Sequence, residues 1–392
     1  MGDRASFPIG IVYSTVGAYS ALSHDALEGA HLAVETVNTD PSFSFALTAH
    51  YADPEGVADR YPVLAGQLMR EACCQHIVGA ITSWSRKELL PVVERHEGLL
   101  WYAFPYEGYE TNEQVIYLGA CPNQHIVPLL DHVAPRFGLR PFLVASNYVW
   151  GWEISRIARE LVTAAGGQVC GECYIPLGSC AVERAIAGIR LARPDFILCN
   201  LLGPSTGAFL RAYARLGQID PGFAPGCRPV ASCNMTEIDL ADLGEAAAGH
   251  LATAVYFDTL ETRAADALRR HAREHGVTQR FTSAFAAAYT AVIILAESIR
   301  DAGSDEPIAV RTAATRRSFH TPLGAIAIDA RTLHAALTPH IGRATADRRF
   351  LIVDSAPAPI PADPYLMQLP ERTVARLPWR AWPAAPVRTQ QV

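Results

Sequence analysis

His76-Ile77-Val78-Gly79-Ala80-Ile81 and Leu99-Leu100-Trp101-Tyr102-Ala103-Phe104 are two short apolar runs, and a helix-like stretch lies between them. Ser85 and Glu88 have the spacing of a capping box at the start of that stretch. Pro91 lacks a backbone donor and is expected to kink it. Strand, helix and strand make a βαβ unit, and such units in series build a parallel sheet.

The same alternation continues in both directions. Upstream, Pro8 to Tyr13 reads as a strand, and a helix follows from about Ser23 with Ala26, Ala30, Ala33 and Val37 at helical spacing. A strand from Phe45 to Tyr51 and a helix to Cys74 complete that side. Downstream, Val115 to Leu118 is a further strand. A second series then opens with a helix over Pro122 to Phe137, the strand Pro141 to Asn147, and a helix carrying Ile154, Ile157, Leu161 and Ala164 on one face. Asp195 to Leu201, Pro229 to Cys233 and Leu251 to Phe257 are expected strands, and Arg263 to His275 and Phe281 to Ala302 are expected helices. Short strands at Ala325 to Ile328 and Phe350 to Val353 precede a tail containing Pro357, Pro359, Pro361, Pro364 and Pro370, which cannot form a sheet centre.

Two βαβ series imply two cores, and 392 residues exceed the ~100–200 usual for one domain. A net charge of −6 gives no excess of positive charge with which to neutralise phosphates, which disfavours direct nucleic-acid binding. No uninterrupted apolar run approaches the ~20 residues of a membrane span. Asp3 and Arg4 lead straight into the first strand and leave no room for a secretory leader. That places the protein in the cytoplasm, or in the periplasm if a leader has been removed. The nine cysteines, an odd number, read as reduced thiols, and the lone Cys170-x-x-Cys173 lacks a second pair to complete a zinc set.

Two motifs suggest chemistry. Gly203-Pro204-Ser205-Thr206-Gly207 matches the nucleophile elbow of serine hydrolases, with Asp239 and His334 in the required chain order. The preferred reading is a strand-to-helix turn in which Ser205 or Thr206 caps the helix. His271-x-x-Glu274-His275 matches a zinc-peptidase pattern, but it ends a helix just before Gly276, where cationic groups are favoured by the helix dipole. Neither a metal nor a cofactor is expected, and binding is preferred to catalysis.

A longer stretch is more specific: Val78 to Ser83, Arg86-Lys87, Leu90 to Glu94, Leu99 to Tyr102 and Pro105-Tyr106-Glu107-Gly108-Tyr109, with Ala120 to Gln124, Tyr174 to Leu177, Ala284 to Tyr289 and Asp363-Pro364-Tyr365. It resembles the branch of the type I periplasmic-binding-protein fold that holds the amide-responsive regulators (AmiC type) and the urea and short-amide receptors. The resemblance implies two α/β lobes, each a parallel sheet flanked by helices, joined by crossing strands that close around a ligand. Lobe I is expected over 1–121 and 258–321, lobe II over 122–257 and 322–355, and a proline-rich tail over 356–392.

Ligands of open α/β sheets bind beyond the carboxyl ends of the strands. That rule and the resemblance together select Thr82, Ser83, Tyr102, Phe104, Pro105, Tyr148, Trp150, Leu202 and Asn234 as ligand-binding residues. Ser83 and its backbone amide are expected to hold a carbonyl, with the aromatics as walls. Ile81, Phe104 and Trp150 stand where the family pattern has hydroxyl-bearing residues, which points to a neutral ligand with more apolar surface than the smallest amides. Arg86, Lys87, Glu94, Arg95 and Glu97 are expected on a solvated helix face. The resemblance implies two functions, and the lack of room for a leader puts first a cytoplasmic amide sensor that controls a transcription regulator of the antiterminator type. Second stands the substrate-binding receptor of an ABC importer for urea, amides or branched-chain amino acids, and third a serine hydrolase. It leaves the oligomeric state open, a homo-oligomer included.

Overall fold

The computed structural model describes residues 4–241, 243–277 and 281–367. In the first lobe β1 (Ala5–Val12), α1 (Ser20–Thr39), β2 (Phe45–Ala52), α2 (Arg60–Glu71), β3 (His76–Gly79), α3 (Ser83–Arg95), β4 (Leu99–Tyr102) and β5 (Val115–Tyr117) follow in order. Their parallel sheet has the order β2-β1-β3-β4-β5, with Ile9 opposite His76, Val78 opposite Trp101 and Leu100 opposite Val115. Every residue of β3 and β4 is buried. Strands covered by helices on both faces need such continuous apolar runs, and this is why the opening stretch is legible.

The second lobe contains α4 (Ile126–Phe137), β6 (Pro141–Ser146), α5 (Val149–Ala164), β7 (Gly171–Ile175), α6 (Glu183–Ala192), β8 (Phe196–Asn200), α7 (Pro204–Ile219), β9 (Val230–Ser232), α8 (Glu237–Ala241) and β10 (Leu251–Ala254). The chain returns to the first lobe through α9 (Arg263–Glu274), α10 (Ser283–Ala302), α11 (Pro307–Ala314), β11 (Ser318–Thr321) and β12 (Gly324–Ala327), then ends in the second sheet with β13 (His340–Ala344) and β14 (Phe350–Ser355). The second sheet runs β14-β13-β10-β9-β8-β6-β7. Its parallel part repeats the doubly wound order of the first. β13 and β14 are antiparallel, so this sheet is mixed and not wholly parallel, because a short hairpin can join only antiparallel neighbours.

Three local expectations change. The cap of α3 is Thr82, whose Oγ1 accepts the Ser85 N–H at 3.1 Å, so the helix starts one turn before the Ser85–Glu88 box. Residues 322–337 were expected in the second lobe, but Leu323, Ile326, Ile328, Leu333, Ala335 and Leu337 fill the first core, and the last crossing falls just before β13. The tail is tethered over its described part. Gln124 Nε2 donates to Ile360 O at 2.8 Å, Asn123 Nδ2 to Pro361 O at 2.8 Å and the Tyr109 N–H to Pro364 O at 2.8 Å. Leu366 packs in the second lobe's core. The rest of the expected tail, 368–392 with Pro370, lies outside the described residues. α10 is long and apolar enough to cross a membrane, yet 72% of it is buried against α1 and its neighbours, as a core helix requires.

Candidate functional site

Both sheets point the carboxyl ends of their strands at one cavity. From the first lobe come Ile81 and Ser83 after β3 and Ala103, Phe104 and Pro105 after β4. From the second come Tyr148 and Trp150 after β6, Leu202 after β8, and Cys233 to Thr236 after β9. Seven of the nine expected ligand residues therefore surround one space: Ser83, Phe104, Pro105, Tyr148, Trp150, Leu202 and Asn234.

Thr82 and Tyr102 lie outside its lining. The Thr82 hydroxyl is committed to the α3 cap. Tyr102 is wholly buried, and its hydroxyl donates to Ile81 O at 2.9 Å, which turns it behind the wall. The sequence reading missed Gln124, His125, Thr253, Ser283 and Ala287. Ser283 follows the Thr282 cap of α10, so the helix-start signal could have found it; His125 and Thr253 carry no local signal.

Among the described residues the lining contains no Asp, Glu, Lys or Arg. Burial pushes the His125 imidazole down to about 4, so it is neutral at pH 7. Its Nε2 meets Tyr106 O at 3.0 Å. The N-terminal turns of α3, α5 and α10 reach the lining through Ser83, Trp150 and Ser283, and such helix starts carry partial positive charge. Several polar groups are already bonded. Gln124 braces Ala335 O and Ile360 O, and Asn234 Nδ2 donates to Leu201 O at 2.7 Å. Trp150 Nε1 and Thr253 Oγ1 are different: both are buried and have no hydrogen-bond partner among the described residues.

Behind Ser83 lies a charge cluster centred on Arg86, which was expected on a solvated helix face; Lys87 beside it is exposed as expected. Arg86 is wholly buried. Its Nη2 meets Glu107 at 3.0 Å and its Nε meets Glu110 at 2.8 Å, and its guanidinium carbon lies 4.8 Å from the Tyr102 ring centre and 4.6 Å from that of Tyr106. Lys87 Nζ adds a contact to Glu110 at 3.0 Å. Burial alone would raise the Glu110 carboxyl, but Arg86 and Lys87 hold it down to about 2. Ser83 donates its hydroxyl proton to Glu107.

Next to Thr236, Glu237 is 2% exposed; its Oε1 accepts the Asp258 N–H at 2.9 Å, and its Oε2 has no partner among the described residues. Burial pushes this carboxyl up from 4.5 to about 8. The folded protein thus keeps a proton that the unfolded chain releases, and the associated stability is complete below pH 4.5 and lost as pH rises through about 8. Glu237→Gln is therefore expected to gain stability relative to the wild type between pH 4.5 and 8 and to hold a constant lead above it. Melting temperatures across that range check this, and parallel curves for the two proteins would refute it.

The two enzyme-like motifs do not assemble. Ser205 Oγ donates to Ser179 O at 2.6 Å, Asp239 accepts the Thr236 N–H at 2.8 Å, and His334 stacks on Tyr117 in the first lobe with ring centres 4.1 Å apart. No hydrogen bond among the described residues joins the three. His271 pairs with Thr36 Oγ1 at 2.8 Å, and no group of three metal-ligating side chains occurs among the described residues.

A two-lobed α/β molecule with a cavity at the strand ends of both sheets is a solute-binding architecture. The chain belongs to the periplasmic binding protein domain family, whose model matches residues 7–371. Among solved structures it is similar to a solute-binding protein of an ABC transporter from R. palustris in complex with 4-hydroxybenzoate, at 19% identity over 91% of this chain and 98% of that one, with a TM-score of 0.81. The counterpart from Rhodopseudomonas palustris HaA2, in complex with p-hydroxybenzoic acid, matches at 19% identity over 93% and 99%, with a TM-score of 0.82. A leucine binding protein from Thermotoga maritima matches at 17% identity over 89% and 98%, with a TM-score of 0.77.

Proposed function

We propose that this protein is the solute receptor of an ABC importer, working outside the cytoplasmic membrane, and that it captures a small neutral solute with a compact apolar body. The receptor, second in the sequence reading, takes precedence because the similar structures named above are transporter or leucine-binding receptors. The cytoplasmic amide sensor with an antiterminator partner has no comparable support. Ser83, Phe104, Pro105, Tyr148, Trp150, Leu202 and Asn234 form the proposed binding wall.

One observation carries the reading. Trp150 and Thr253 belong to a mostly apolar cavity wall, and the N–H of one and the hydroxyl of the other are buried with no partner among the described residues. A buried donor left unmade costs about 1–3 kcal/mol, and a solute carbonyl or hydroxyl oxygen would relieve that cost. Among the described residues the wall has no charged side chain, which favours a neutral solute, since an ion would lose its hydration without a counter-charge.

Native mass spectrometry of protein isolated without denaturation is expected to find a small molecule retained. Trp150→Phe keeps an aromatic ring but removes the donor, and it is expected to weaken that molecule about tenfold by calorimetry. Full affinity in Trp150→Phe would remove the N–H from the site, and an apoprotein that takes up no small amide, acid, ester or amino acid would end the receptor reading.

A further inference from the structure

Ser83 lines the cavity, but its hydroxyl proton points away from any solute. A hydroxyl has one proton to donate and two positions at which to accept. The proton goes to Glu107 Oε2, and Arg86 Nη1 occupies one acceptor position at 3.3 Å. The guanidinium cannot easily swing aside, because Glu107, Glu110 and the rings of Tyr102 and Tyr106 surround it. Two cations, Arg86 and Lys87, face two carboxylates, Glu107 and Glu110, so the cluster offers no net positive charge to an anion. What Ser83 still presents is one acceptor position. Beside it is its own backbone N–H, the first of α3, which has no intrahelical acceptor.

We infer that the buried Arg86–Glu107 pair is a specificity-determining device. It locks the Ser83 hydroxyl as an acceptor, so the cavity selects solutes that carry an N–H or O–H donor next to a carbonyl and disfavours esters and carboxylates of the same shape. Arg86 and Glu107 act through Ser83 and are positioning residues. This reverses half of the sequence expectation, in which the hydroxyl as well as the amide was to hold a carbonyl. The inference rests on the receptor reading of the cavity.

The test uses matched probes on two bodies. Benzamide, N,N-dimethylbenzamide, methyl benzoate and benzoate share a phenyl group, and the corresponding four derivatives of isovaleric acid share an isobutyl group. Wild type, Ser83→Ala and Glu107→Gln are titrated with each by calorimetry at pH 8. In the wild type, the primary amide is expected to bind at least about tenfold more tightly than the ester, the dialkyl amide or the carboxylate. In Ser83→Ala and Glu107→Gln that ratio is expected to fall below about threefold, whatever happens to absolute affinity. General structural damage would weaken all probes together and leave the ratio unchanged, and Ser83→Ala decides the matter if Glu107→Gln does not fold. Equal binding of amide and ester by the wild type, or a preserved ratio in the variants that fold, overturns the role of the pair and leaves the receptor reading standing. No heat from any probe on either body with the wild type overturns the proposed selection of primary amides, and the receptor reading then falls only with the wider uptake test given above.

Discussion

Replacing Arg86 with methionine is expected to lower the unfolding free energy by about 3–5 kcal/mol, the usual effect of removing one partner from a buried ion pair. The reason lies in what remains. Glu107 and Glu110 are nearly inaccessible to water, at 3% and 9% side-chain exposure, and would keep the hydroxyls of Ser83 and Tyr117 but, as counter-charge, Lys87, itself 43% exposed. Methionine restores much of the volume between Tyr102 and Tyr106 but none of the charge. Urea unfolding at neutral pH measures the change. Adding Glu107→Gln and Glu110→Gln to the same chain should recover part of the loss, because no uncompensated charge is then left in the interior. A midpoint for Arg86→Met that matches the wild type would mean that water reaches these carboxylates and that the cluster contributes little.

Gly203→Ala is expected to weaken solute binding by a factor on the order of 100, equivalent to about 2.7 kcal/mol. Gly203 has φ +60° and ψ −136°, a backbone region closed to residues with a side chain at a cost of about 1–3 kcal/mol. A Cβ there would also lie 1.8 Å from the carbonyl oxygen of Ala18. Gly203 belongs to the second lobe and Ala18 to the first, so the methyl group would act as a wedge between them. Because the opposing atom is backbone, no change of side chain can relieve the clash. The lobes should therefore rest further apart, which small-angle scattering would register as a larger radius of gyration. Unchanged affinity together with an unchanged radius would show that the loop moves aside. On this account the glycine of the hydrolase-like motif serves a tight turn and lobe contact, and Ser205 binds Ser179 O within its own lobe.

Much of this molecule is legible in its sequence. Fully buried parallel strands must be apolar along their whole length, so β3, β4, β6 and β8 announced themselves. Ser83, Phe104, Tyr148, Trp150, Leu202 and Asn234 lie where each strand reaches its carboxyl end, a rule the family resemblance reinforces, and Pro105 comes from the resemblance. The same rule over-reached at Tyr102, because residue order alone cannot say that its hydroxyl turns back to Ile81 O. It was silent on Thr253 and His125, which come to the cavity on β10 and at the start of α4. Arg86 looked solvated because a charged residue on a polar helix face usually is. Its burial depends on Glu107 and Glu110, 21 and 24 residues further along, on a loop that folds back over the helix.

The order of strands and helices, the pairing of two α/β series and the end of each sheet at which a solute would sit follow from the sequence by itself, since they depend on periodicities and turns that are local. The sense in which Ser83 offers its hydroxyl, the cancellation of charge behind it and the lodging of residues 322–337 in the first core were decided only by the tertiary structure. Each of these depends on groups far apart in the chain, and their protons and charges settle only when packing has taken water away.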